Sequence, residues 1–209
     1  MKSYVRVFKN REDITFNKKE GNIFFVTGLS GSGKSYYSKM LAKELDAKIF
    51  QVEWLIHYKH CDEEFKKFLD DFIEKYDINE YVLNKWNNVK KEDDNELLKK
   101  YINLLLKEFI DIYKDGVYII EGLQLFTLID VCLIKNYFIL IKGTGSITSL
   151  KNRVKRDYQK RKDYKFIDKV KWFIKVIKQS SLYQFKHRRK LNDFIGELTK
   201  IKDAKSLEI

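Results

Sequence analysis

Gly28-Leu29-Ser30-Gly31-Ser32-Gly33-Lys34-Ser35 reads G-x-x-x-x-G-K-S, and its flanks define its setting. Upstream, Ile23-Phe24-Phe25-Val26-Thr27 is a short run of apolar, β-branched and aromatic residues, as a strand buried on both faces requires. Downstream, Tyr37, Met40, Leu41 and Leu45 recur at helical spacing. A glycine-rich turn between strand and helix is the context in which this pattern forms a phosphate cradle. Gly28, Gly31 and Gly33 open backbone conformations closed to other residues and let the main chain approach an anion closely. The N–H groups and positive end of the following helix then surround the phosphates. By average residue usage, a chance match in a chain this long is a roughly one-in-a-hundred event. The spacing therefore predicts nucleotide binding through Gly28, Ser30, Gly31, Ser32, Gly33, Lys34, Ser35 and Tyr36. Lys34 is expected to reach the β- and γ-phosphates, and the Ser35 hydroxyl to ligate Mg²⁺.

Composition narrows the class. The chain has 209 residues, 44% hydrophobic and 34% charged, which suits one soluble α/β domain spanning 1–209 with a helical insertion. No apolar run approaches the ~20 residues of a membrane span. The start, Met1-Lys2-Ser3-Tyr4-Val5-Arg6, lacks the apolar core of a signal peptide. Cys61 and Cys132 have no metal-ligand spacing and read as reduced thiols, so the expected location is the cytoplasm. Net charge is +12, and it is concentrated. Residues 151–190 hold 16 Lys and Arg against 3 Asp, leaving the rest of the chain near neutral. That stretch is either an anion-handling surface or a solvated basic helix face.

Taken in order, Tyr4–Phe8 alternates weakly and reads as one arm of an edge hairpin with Ile14-Thr15-Phe16. Ala47–Val52 is a second core strand, followed by Glu53-Trp54. From Asp62 to Tyr76, Phe65, Phe68, Leu69, Phe72, Ile73 and Tyr76 make one face of an amphipathic helix. Another helix runs from about Asp94 to Tyr113, and the two are expected to form a substrate-side cover over residues 60–115. Val117–Ile120 and Tyr137–Ile141 are the third and fourth strands. Gly143-Thr144-Gly145 leads into a helix through Arg153 and Arg156. Two more helices follow, one marked by Val170, Phe173, Ile174 and Ile177, the other by Leu191, Phe194, Ile195 and Leu198. Ser206–Ile209 is a candidate last strand.

Phosphoryl transfer needs positioning, a metal, a group that handles the acceptor, and positive charge on the phosphoryl oxygens. Glu53 ends the second strand, where an open α/β sheet keeps its ligand crevice, and can hold or deprotonate an acceptor hydroxyl. The bland alternative is a surface carboxylate. Glu121 follows four apolar residues, and a charge placed there is costly without a partner. It suits a Mg²⁺ site, or a salt bridge to a neighbouring helix. Arg153, Arg156 and Arg161 form R-x-x-R-D-x-x-x-R, and arginine forks match phosphate oxygens.

The octapeptide, a carboxylate after the second strand, Ile119-Ile120-Glu121-Gly122 and the arginine series occur in one order. Over residues 22–162 that order resembles the P-loop kinases of the uridine kinase and phosphoribulokinase group. The resemblance implies a three-layer fold, with a five-stranded parallel sheet in the order 2-3-1-4-5 and helices on both faces. It also implies a lid over ATP, at about 150–165, carrying Arg153, Arg156 and Arg161. Where that group places Asp and an aromatic, this chain has Glu53-Trp54.

The leading expectation is a kinase that moves the γ-phosphoryl group of Mg²⁺-ATP to a small molecule, a nucleoside first and a nucleotide second. Two alternatives stay open. The basic segment 151–190 suits a polynucleotide 5′-end kinase. A non-kinase NTPase module is the other, although no [NT]-K-x-D base-reading motif follows the third strand.

Overall fold

All six residues of Ile23–Gly28 are buried, which puts this strand inside a sheet. The computed structural model describes residues 4–9, 22–55, 57–78, 93–159, 166–201 and 207–208. Its strands are β1 (Tyr4–Phe8), β2 (Ile23–Gly28), β3 (Lys48–Gln51), β4 (Tyr118–Glu121), β5 (Phe138–Lys142) and β6 (Leu207–Glu208). They pair in the order β3-β4-β2-β5-β1-β6, all parallel. Helices α1 (Lys34–Leu45), α2 (Glu63–Lys75), α3 (Asp93–Ile112), α4 (Gln124–Thr127), α5 (Val131–Ile134), α6 (Ser146–Gln159) and α7 (Phe166–Ile201) complete an α/β architecture. Among the described residues no helix is long and apolar enough to cross a membrane.

Strand side chains alternate between faces, and the core divides accordingly. Phe24, Val26, Ile119 and Leu140 pack under Tyr37, Leu41 and Leu45 of α1. Ile23, Phe25, Ile120 and Ile139 face the opposite layer, built from α2, α3, the short helices and the end of α7. There Phe50 of β3 is the hub of an aromatic cluster, with ring centroids 5.4 Å from Phe65, 5.9 Å from Phe68 and 4.4 Å from Phe109. Burying each such ring contributes on the order of 1.5–3 kcal/mol. The helical cover is tied across by Tyr76, whose hydroxyl donates to Glu108 of α3 at 2.6 Å. Asn103 of α3 binds the segment after α4, accepting from the Asp130 amide at 2.8 Å and donating to the Leu128 carbonyl at 3.0 Å.

Three expectations need correction. The strand order is not 2-3-1-4-5. Counted from β2, the first four places do hold the second, third, first and fourth strands, but the fifth is taken by Tyr4–Phe8. That strand is no hairpin arm. It runs parallel between β5 and β6 with Val5 and Phe8 fully buried, and Ile14–Phe16 lies outside the described residues. The two helices expected after residue 166 are one 36-residue helix. Its apolar periodicity lapses between Ile177 and Leu191, but the Lys, Arg, Gln and Leu residues there are good helix formers and no proline interrupts them.

Candidate active site

Parallel pairing brings every strand's carboxyl end to one edge, and the register aligns Val26 with Glu121 and Glu121 with Gln51. At this edge β2 runs into the glycine loop. Gly28, Gly31 and Gly33 have φ of 149°, 85° and 88°, where side chains are strained. A Cβ on Gly31 would lie 2.3 Å from the Ser149 carbonyl oxygen of α6, whereas one on Gly33 would meet nothing within 4 Å. The loop is therefore packed hard against α6 on one side and open on the other. Its carbonyls are engaged on the packed side: Asn152 of α6 donates to Gly31 O at 3.2 Å, and the Thr144 hydroxyl lies 3.2 Å from Ser32 O. The Ser32 hydroxyl is buried and has no hydrogen-bond partner among the described residues.

Gly33 caps α1 in the left-handed conformation, placing Lys34, Ser35 and Tyr36 on the helix's first turn. Lys34 is half-buried, and Tyr36 is 72% exposed. Ser35 donates its hydroxyl proton to Glu121 Oε1 at 2.5 Å. Glu121 is only 4% exposed, because β4 is an interior strand whose residues are all buried. The turn after it is fixed by the buried Thr27 hydroxyl, which donates to Gly122 O at 2.7 Å.

Glu53 sits in a one-turn 3₁₀ helix, Val52–Leu55, directly beyond β3. Trp54 anchors that turn, 3% exposed and edge-on to Phe50 at 5.6 Å. Glu53 itself is exposed and faces a cleft of about 480 Å³ that it lines with Gln51, His57, His60 and Asp62. β3 lies two strand spacings from β2, or roughly 10 Å, so the cleft and the loop occupy neighbouring stretches of one edge.

The two described arginines of the series are placed differently. Arg153 stands on the α6 face against the loop, its backbone nitrogen 3.2 Å from where a Gly31 Cβ would be, with part of its guanidinium buried. Arg156, one turn on, is exposed, and Arg161 with the rest of the lid beyond Gln159 lies outside the described residues.

Sequence reasoning missed the layer behind the loop. Asn152 holds the Gly31 carbonyl, the Thr144 hydroxyl lies between Gly143 O at 2.7 Å and Ser32 O at 3.2 Å, and Arg188 of α7 donates to Thr144 O at 2.9 Å. His187 stacks edge-on to Phe126 at 6.0 Å, and burial together with Lys190, Arg153 and Lys186 pushes its pKa down to about 4. The one available signal was the basic segment 151–190, which holds both His187 and Arg188 and read only as charge. No protein-family model matches the chain, and no curated protein matches it.

Proposed function

We propose that the chain is a cytoplasmic, Mg²⁺-dependent ATP phosphotransferase acting on a small molecule, a P-loop kinase akin to the uridine kinase and phosphoribulokinase group. One observation carries the reading: a buried Glu121 held against the Ser35 hydroxyl beside a glycine loop open on its far side. A carboxylate buried against a neutral hydroxyl is costly, and a divalent cation beside the pair restores the balance. The Ser35 hydroxyl donates a hydrogen bond to Glu121, which would leave the lone pairs of its oxygen for a metal. Mg²⁺ needs only one or two protein oxygens, so Ser35 and Glu121 suffice to hold it. When bound, the ion neutralises charge on the phosphate oxygens.

The loop amides and Lys34 hold the triphosphate, and Arg153, with Arg156 and Arg161 on the lid, adds positive charge to the migrating group. Glu53 accepts the proton of the acceptor hydroxyl as its oxygen bonds to the γ-phosphorus. The bond from that phosphorus to the ADP oxygen breaks, and ADP leaves. The cleft's lining suits an uncharged acceptor: Gln51, His57 and His60 hydrogen-bond hydroxyl and amide groups, and the carboxylates of Glu53 and Asp62 outnumber the one lysine, Lys39, that would attract a phosphate. A nucleoside fits this chemistry better than a nucleotide. Labelled ATP offered with nucleosides, nucleotides, sugars and oligonucleotides tests the reading. Label should pass to a neutral hydroxyl compound; ATP hydrolysis that no acceptor alters would overturn it in favour of an NTPase module.

A further inference from the structure

The basic segment is not used by that chemistry beyond its lid arginines, yet it holds essentially the whole net charge of the chain. Much of it lies on α7, whose 36 residues span about 54 Å. Leu191, Phe194 and Leu198 fasten the end of α7 into the core. Earlier on the helix, Val170, Ile174 and Phe185 are 42%, 63% and 71% exposed, and Lys171, Lys186 and Arg189 are exposed with them. At 100° per residue, positions 170, 174, 185 and 189 fall within about 100° of one another along roughly 28 Å of helix. α6, which packs along α7, repeats the arrangement. Ile147, Lys151, Lys155 and Tyr158 follow i, i+4, i+8, i+11 and share a face, with Ile147 84% and Tyr158 45% exposed.

The mixing identifies the partner. A helix that lies on a membrane segregates apolar groups from cations onto opposite faces. Here Phe185 and Arg189 are one turn apart on the same face, and Lys155 adjoins Tyr158 in the same way. Pressing such a face into lipid would drag the cations with the rings. A single nucleic-acid strand instead presents phosphates and base faces along its length, matching cations interleaved with exposed rings.

We propose that the exposed faces of α6 and α7 bind single-stranded nucleic acid, the cations engaging phosphates and Phe185 and Tyr158 stacking on bases. Binding needs no ATP, so its failure leaves the kinase reading standing, and the reverse holds too. The test is fluorescence anisotropy of the full chain with a labelled oligothymidylate of about 20 nucleotides, over a salt series. Binding should weaken with salt, with a logarithmic slope of about −0.7 per phosphate engaged. Phe185→Ala should raise Kd roughly tenfold without changing the slope or ATP binding. Lys186→Glu with Arg189→Glu should flatten the slope by about 0.7 for each cation that engages a phosphate. Absence of binding at low salt would overturn the proposal. So would a duplex that binds as tightly with Phe185→Ala silent, or phosphatidylserine vesicles that displace the oligonucleotide.

Discussion

Strand β4 ends in Glu121 and strand β3 is followed two residues on by Glu53, and the two acids behave differently. β4 is flanked on both sides, so Glu121 is drawn into the core at 4% exposure and locked to Ser35. β3 is the edge strand, so Glu53 emerges in a 3₁₀ turn and faces a cleft, its turn anchored by the buried Val52, Trp54 and Leu55 and by the His57 amide, which donates to Glu53 O at 2.8 Å. Place in the sheet decides whether a strand-end acid is fixed before any ligand arrives or left to adapt to one. A metal site gains from the first condition, since fixed dipoles need no reorganisation. An acceptor site gains from the second, since one cleft must admit and release substrate.

The contrast between the two ends has meaning only if both serve the loop between β2 and α1. Lys34→Ala tests that directly and should have the largest effect. It should cut phosphotransfer by about 10³-fold or more and weaken ATP binding, read by single-turnover transfer and nucleotide titration. Unchanged turnover would dissolve the comparison. Next, the two acids should fail in different ways. Glu121→Gln keeps an oxygen for Ser35 and should fold normally, while losing about 10²-fold in rate and shifting the Mg²⁺ midpoint upward. Glu53→Gln should lose about 10²-fold in rate with Mg²⁺ and ATP midpoints unmoved. Matching Mg²⁺ responses in the two variants would show that the buried and exposed acids do not divide the work.

The buried end was the more legible of the two in sequence. Four apolar residues before Glu121 announce an interior strand, and glycines at fixed spacing announce a loop that only unusual backbone angles can build. Phe65, Phe68, Leu69 and Phe72 likewise declared the buried face of α2. What stayed hidden depends on contacts between distant segments. Nothing local in Tyr4–Phe8 tells whether it pairs at an edge or slots beside β5, because alternation fixes faces and not neighbours. No local pattern in Asn152, Thr144 or Arg188 marks the contacts that the fold gives them behind the loop. The 3₁₀ turn holding Glu53 has no periodicity to read, and the burial of Val52, Trp54 and Leu55 against distant segments defines it.

The loop contains its own version of the same contrast. Gly31 and Gly33 share a left-handed φ, yet only Gly31 abuts backbone, 2.3 Å from a Cβ to Ser149 O. Gly33→Ala should cost about 1–2 kcal/mol, the strain of the angle alone. Gly31→Ala carries that strain and must also push α6 away, so it should cost at least about 2–3 kcal/mol. Urea unfolding of the pair measures the difference, and equal losses would mean that α6 does not clamp the loop.

The smallest effect sharpens the comparison at the far side of that clamp. His57 and His60 stand exposed at the cleft, whereas His187 is largely buried beside Arg153. Its pKa falls from 6.5 to about 4 because burial and then the charges of Lys190, Arg153 and Lys186 disfavour the imidazolium. Between those values the unfolded chain takes up a proton that the folded chain refuses, so stability present above pH 6.5 drains away as pH falls toward 4. With allowance for the solvent-exposed part of the ring, the loss should be roughly 1–2 kcal/mol. Carboxylates titrate in the same range, so the measurement is a difference: urea unfolding of the wild type and of His187→Gln at both ends of the window. The variant should be less sensitive to acid by that amount. Parallel acid profiles would place His187 in contact with water in the folded chain and remove it from the packing behind the loop.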